Sequence, residues 1–418
     1  MNPKTFRIIC LLFAALLTVS GCQTAESGVT VSYLYPSTAV SAPAGDLPEY
    51  APQMVSLPYI APELNAAFGV ADFDFRYDAL TDPTERSVYA ALVSAMLAFA
   101  RKTVPVPVGE TFTDERAREL LDAVQTDYPQ FFEQPYGCDA VLENGEVYYN
   151  LQYGSDSLET LRAGRERFYA RVNELLTQAA GYSDAAQREL FLYETVMRSA
   201  EYDFAEMRQV GTNRNAHTAD GCLTDGRTVC EGYARAFCLL ANYSGIRAAV
   251  VYGNLPGSVY HAWIAVERGD GFLFGDPTLD DAERRYAGSD RKPYGDPDGK
   301  ESMTALPDAL LHTYYNLTYA EISRDHTFDE PSWEALSLSE APDAERWQIQ
   351  NGVCFDGADA LSDWLTETLP ELKSGDVVEF GMKKSIGRSA VLTLIERQTA
   401  GFALTSNGAN TDFALYVY

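Results

Sequence analysis

The amino-acid sequence predicts an α+β fold, and three observations carry that prediction. Helical periodicity is concentrated ahead of residue 245: Leu158, Leu161, Phe168, Val172, Leu175 and Leu176, then Leu190, Tyr193 and Met197, recur at three- and four-residue spacing. β-rich runs follow from Ala248 and are joined by short turn signals that favour antiparallel pairing. Smaller helix-and-strand mixtures flank this region on both sides. With 46% hydrophobic residues among 418, the chain can build sizeable cores in two or three folded parts.

At the amino terminus, Lys4 and Arg7 precede an apolar stretch from Ile8 to Val19. This is shorter than the about 20 residues that a membrane-spanning helix needs, so residues 1–21 read as a signal peptide. The stretch ends Val19-Ser20-Gly21-Cys22, which resembles the lipobox of bacterial lipoproteins. The resemblance implies that Cys22 carries lipid and anchors the exported chain to the membrane without spanning it. Residues 22–57 are rich in Ser, Thr, Ala, Gly and Pro, with Pro36, Pro43, Pro48 and Pro52 spaced through them, and read as a partly extended tether.

Residues 58–155 read as a small N-terminal α+β domain. Amphipathic helices are expected near Thr84 to Arg101 and Asp114 to Val124, followed by a hairpin about Glu143-Asn144-Gly145-Glu146. Residues 156–335 form the central core. A long helix is opened by Asp156 and Glu159, and a second runs from about Asp184 to Tyr202. Acidic and Ser-rich residues after Pro331 read as a linker up to about Glu345. Residues 336–418 then read as a small α/β module, with a helix around Ala358 to Leu369, runs at Val377 to Phe380 and Val391 to Ile395, and a final alternation of Phe413, Leu415 and Val417.

The chemistry centres on Cys230. Thr228-Val229-Cys230-Glu231 fits the capping-box pattern, with Thr228 as N-cap and Glu231 at the third helical position. A thiol in the first turn faces unpaired backbone N–H groups and the helix dipole, which favour a thiolate. Tyr233, Phe237, Leu240 and Ala241 continue the helix, and Gly245 can close it. The following runs, Tyr260 to Val266 and Phe272 to Phe274, are separated by a Gly269-Asp270-Gly271 turn signal. Pairing them as a hairpin brings His261 within a residue or two of Asp276. A nucleophile, a base and an orienting acid are the set that cysteine acyl chemistry needs.

These residues resemble a known family. Val229 to Phe237, His261-Ala262-Trp263, and Asp276-Pro277-Thr278 with Asp280-Asp281 are similar to the three signature blocks of the bacterial transglutaminase-like superfamily, over roughly Ser183 to Phe328. The resemblance implies a papain-like transglutaminase core with helices packed on an antiparallel sheet. It also implies Cys230 as nucleophile, His261 as base and Asp276 as orienting acid, acting on a protein or peptide substrate without a cofactor. The family often has Asn after His-Ala-Trp, where this chain has Ile264, and an aromatic after Asp-Pro-Thr, where it has Leu279. Neither position carries a reactive group. Tyr314 to Thr318 resembles the closing strand of the family's core.

His312 and His326 read as surface or packing residues. His217 with Cys222, Cys230 and Cys238 raises a zinc alternative, but positions eight apart on a helix are about 12 Å apart along its axis, so no metal site is expected. With Cys22 lipidated and Cys230 free, Cys138, Cys222, Cys238 and Cys354 permit two disulfides in three pairings, or none. The backbone N–H of Cys230 is the nameable oxyanion donor, to which a Tyr or Gln side chain elsewhere could add a second. The net charge of -28 excludes nucleic acid as a partner. The expected protein is a monomeric, membrane-anchored thiol enzyme facing outside the cytoplasm, a protease or acyltransferase. The alternative is a non-catalytic adhesion or scaffolding lipoprotein that uses the same fold for binding.

Changing Cys22 to Ser should release the chain from the membrane fraction or block its processing. A fully processed mutant that still sediments with membranes would rule out the lipid anchor.

Overall fold

The computed structural model describes residues 30–31, 46–50, 55–56, 74–135, 137–269, 271–281, 310–329, 345–398 and 402–417. The segment 1–21, Cys22, most of the tether 22–57, the start of the N-terminal domain and the linker after Pro331 lie outside the described residues. The chain divides into two compact units.

The first unit comprises Met1–Leu192, Gly211–Gly226 and Arg235–Ala249. Its helix Pro83–Ala98 has Pro at its first position and begins where the Asp82 carboxylate accepts from Thr84 N–H at 2.7 Å. Helix Asp114–Asp127 is capped in the same way by Thr113, which accepts from Arg116 N–H at 3.1 Å. The expected hairpin joins strands Gly137–Glu143 and Glu146–Gln152. Its two turn residues, Asn144 at φ 54° and Gly145 at φ 78°, both occupy the left-handed region that a two-residue hairpin turn demands. The helix Leu158–Ala179, capped by Ser157, buries Leu161, Phe168, Val172, Leu175 and Leu176, the stripe that the periodicity predicts.

The second unit comprises Tyr193–Val210, Arg227–Ala234 and Val250–Tyr418. Its central sheet has four strands in the order Gly271–Gly275, Val259–Arg268, Ala248–Leu255 and Thr327–Phe328. The strand Gly271–Gly275 runs antiparallel to Val259–Arg268, and Thr327–Phe328 antiparallel to Ala248–Leu255. A two-residue parallel pairing of Glu201–Tyr202 with Arg227–Thr228 leads into the helix Cys230–Tyr243. The edge strand Thr327–Phe328 lies close against Gly253. A Cβ there would overlap the Thr327 carbonyl and meet Trp263 Cη2 at 2.8 Å, so the glycine is a spatial requirement of the sheet.

The C-terminal residues form a second four-stranded sheet, with Cys354–Phe355 parallel to Val377–Met382, then Asp412–Val417 and Phe402–Ser406 antiparallel. Helices Ala358–Thr368 and Arg388–Glu396 cover it, burying Leu361, Leu365, Val391 and Ile395 against Phe380, Phe413 and Leu415.

Two local expectations are corrected. Val391 to Ile395 belongs to a helix, because Val391 and Ile395, four residues apart, are the positions that reach the core. Tyr314 to Thr318 supplies a single bridge, Leu317 to Phe274, and the closing edge strand is Thr327–Phe328. The backbone of this segment is used elsewhere: Tyr314 N–H donates to Asp280 and its carbonyl accepts from Asp276 N–H.

Gly253→Ala should force the Thr327–Phe328 edge away from the sheet and destabilise the fold by about 1–3 kcal/mol, the usual cost of overpacking a filled interior. Chemical denaturation measures this, and a variant as stable as the parent chain would show that the edge strand yields without cost.

Candidate active site

The helix that carries Cys230 starts at that residue, one position later than expected, because Thr228 is held in the short strand Arg227–Thr228. The Thr228 hydroxyl donates to the Val229 carbonyl at 3.2 Å, and the Glu231 carboxylate accepts from the Tyr252 hydroxyl at 2.9 Å. Cys230 keeps its expected place in the first turn. Cys230 is half-buried, which leaves its sulfur reachable. Gly245, at φ 81°, ends the helix as expected.

The hairpin register does what the sequence suggests. Gly275 pairs with Ile264, which extends to Asp276 opposite Trp263, two residues from His261 on the same face of the strand. His261 Nε2 lies 2.7 Å from Asp276 Oδ2, and Cys230 lies near enough to the ring to raise its pKa. With Nε2 committed to Asp276, Nδ1 is the ring nitrogen left for the thiol. His261 and Asp276 are both buried, at 4% and 0% exposure.

Four donors converge on the Asp276 carboxylate. Thr278 N–H and Leu279 N–H donate to Oδ1 at 2.9 and 3.0 Å, capping the short helix Pro277–Asp280. Oδ2 takes His261 Nε2 and, at 3.2 Å, His326 Nε2. Burial opposes the charged carboxylate, but His261 and then His326 hold it well below the usual range. Burial likewise opposes the charged imidazole of His261. Asp276 and Cys230 outweigh it and push the ring up to about 10, so an imidazolium is stable at neutral pH.

His326 corrects the expectation of a surface or packing residue. It is 1% exposed, donates to Asp276 on one side, and bonds Asp325 Oδ1 through Nδ1 at 2.7 Å on the other. The Tyr314 hydroxyl donates to the other Asp325 oxygen at 2.7 Å. Trp263 packs edge-on against His326 at 4.8 Å between ring centroids. His312 is also buried and ionic: its ring bonds Glu379 at 2.8 Å and Glu194 at 3.3 Å and stacks on Trp347. Tyr202 is a further residue absent from the expected site. Burial, then the proximity of Cys230 and Asp276, raises its pKa, so its hydroxyl stays protonated beside the thiol.

Asp280 and Asp281 hold the acid loop in place. Asp280 accepts from the Tyr193 hydroxyl at 2.7 Å and the Thr313 hydroxyl at 2.9 Å, and Asp281 accepts from Tyr233 on the Cys230 helix. Both are structural anchors in the second unit.

Among the described residues, the metal-ligand side chains that converge are His261, Asp276 and His326, with ligand atoms within 4.8 Å of one another. His217, Cys222 and Cys238 are not among them. Zinc bonds of about 2.0–2.1 Å place two ligands of one tetrahedral ion about 3.3 Å apart, so the 2.7 Å contact between His261 and Asp276 is a hydrogen bond and not a shared coordination shell. Cys138, Cys222, Cys230, Cys238 and Cys354 are all free thiols.

No curated protein matches the chain. Among solved structures it is similar to a TGase, at 16% identity and a TM-score of 0.25, over 41% of this chain and 50% of that one. It is also similar to a candidate cysteine protease from Cytophaga hutchinsonii, at 15% identity and a TM-score of 0.22, over 34% of this chain and 62% of that one. In both cases the chain spans less than two thirds of the other protein's length. The fold is α+β with a transglutaminase-like core: residues 173–277, the stretch that holds Cys230, His261 and Asp276, match the transglutaminase-like superfamily.

Proposed function

We propose that this protein is a thiol enzyme that cleaves or transfers peptide or glutamine-type amides through a Cys230 acyl-enzyme. The observation that carries the reading is His261, buried, hydrogen-bonded to Asp276 at 2.7 Å and close to Cys230. Cys230 Sγ attacks the amide carbon and forms the C–S bond. The His261 imidazolium gives its proton to the departing nitrogen as the C–N bond breaks. Water or a second amine then attacks the thioester, His261 takes up the incoming proton, and the C–S bond breaks to restore the thiolate. Asp276 orients the ring and stabilises its charge throughout. The Cys230 backbone N–H and the Tyr202 hydroxyl are the candidate donors to the oxyanion.

Hydrolysis and transfer share this acyl-enzyme and differ in the second nucleophile. In this reading the enzyme acts at the outer face of a membrane, held by lipid on Cys22, as a monomer on protein or peptide substrates. The alternative, a non-catalytic adhesion or scaffolding lipoprotein, has no physical use for a buried imidazole held between a thiol and a carboxylate.

Iodoacetamide at mildly acidic pH should alkylate Cys230 ahead of the other thiols. Burial pushes Cys138 up to about 12 and also raises Cys238 and Cys354. Peptide mapping by mass spectrometry reads the order, and equal labelling of the half-buried Cys138, Cys230 and Cys354 would count against a reactive Cys230.

A glutamine-containing peptide offered with a labelled primary amine tests the reaction, read as ammonia release, amine incorporation and peptide cleavage. Asp276→Asn should lose about 10⁴-fold in turnover by the precedent of the serine-protease triad. The Cys230→Ala, His261→Ala, Asp276→Asn triple variant should be little worse than Cys230→Ala alone, because the three groups act as a unit. Full activity in a folded His261→Ala variant would move the assignment to the binding-module alternative.

A further inference from the structure

We infer that His326 is a second, cationic positioning residue of this site, which shares the Asp276 carboxylate with His261 and so sets how tightly His261 holds its proton. The inference rests on the Cys230, His261 and Asp276 reading and adds a residue to it.

The argument begins with hydrogen-bond valence. His326 Nε2 meets Asp276 Oδ2 at 3.2 Å and Nδ1 meets Asp325 Oδ1 at 2.7 Å. A carboxylate accepts and does not donate, so an imidazole placed between two carboxylates donates from both nitrogens and carries a positive charge. The ring is sealed from water, with its side chain 0% exposed. The titratable groups that face it are Asp276 beyond the Gly271–Gly275 strand, His261 on the Val259–Arg268 strand, Tyr314 on the preceding segment and Asp325 on its own. The Tyr314 hydroxyl fixes Asp325 from the far side.

Two consequences follow for the reacting pair. First, Asp276 cannot rotate: both lone pairs of Oδ2 are engaged by imidazoles, and Oδ1 is pinned by two backbone N–H groups. Second, the one negative charge of Asp276 is divided between two cations whose ring centroids are 5.8 Å apart. Like charges at that separation in a dry interior repel, so His326 makes the His261 imidazolium a stronger acid than Asp276 alone would allow. An imidazolium held too tightly cannot release its proton to the departing amine. His326 offsets part of the grip that Asp276 exerts.

The test is an NMR titration of the His261 ring in the full chain, with Cys230 alkylation followed in parallel. In His326→Gln the His261 midpoint should move up by on the order of one unit. In Asp325→Asn, which keeps the ring but weakens its charge, it should move the same way by less. An unchanged or lowered His261 midpoint in folded His326→Gln, with Cys230 still alkylated first, would overturn the inference and leave His326 as packing. Should His326→Gln not fold, an unmoved midpoint in Asp325→Asn overturns it instead. Failure of Cys230 to be alkylated ahead of the other thiols in the parent chain would sink the parent reading, an outcome distinct from either titration result.

Discussion

The carboxylate of Asp276 is the interaction on which the rest of the site depends. A fully buried carboxylate without partners would neutralise itself or destabilise the fold. Here it receives four hydrogen bonds, two from the helix it caps and two from histidines. Its backbone N–H donates to the Tyr314 carbonyl at 3.1 Å, so the chain direction is fixed as well as the side chain. One residue thus terminates a strand, opens a helix and orients an imidazole. These three tasks need the same geometry, so the local fold and the chemistry cannot be optimised separately.

The same solution recurs in the second unit. His312 lies between Glu379 and Glu194, and Arg346 donates two hydrogen bonds to the buried Asp412 at 3.0 Å. Each of these two cations is placed where carboxylates meet. The His312 contacts connect Glu194 to Glu379 on the strand Val377–Met382 within that unit, and Gln348 adds a bond to the His312 carbonyl at 3.1 Å.

How much was legible in the sequence follows from range. The helix at Cys230 and the hairpin that brings His261 to Asp276 are set by neighbours in the chain, through periodicity and a Gly-rich turn, and both appear where the pattern puts them. The Asn144-Gly145 turn is readable for the same reason. His326 was not legible, because it reaches Asp276 from fifty residues further along the chain, ahead of an edge strand of only two residues. Tyr202 enters through a two-residue parallel bridge that leaves no periodic signal. Val391 to Ile395 was too short a run for its period to separate strand from helix.

Gly408 gives the C-terminal sheet a part in this site. A Cβ at that position would overlap the carboxyl group of Asp325, so the turn of the C-terminal module presses directly on the outermost carboxylate of the buried chain that runs through His326 to Asp276. Asn407, beside it, donates to the Thr313 carbonyl at 3.1 Å and holds the turn in place. The module therefore covers part of Asp325. While it is seated, the Asp325 side chain is 12% exposed, and its charge acts on the ring behind it. Unseating it would let solvent dilute that charge, and the change would be felt at the thiol without any residue near Cys230 having moved.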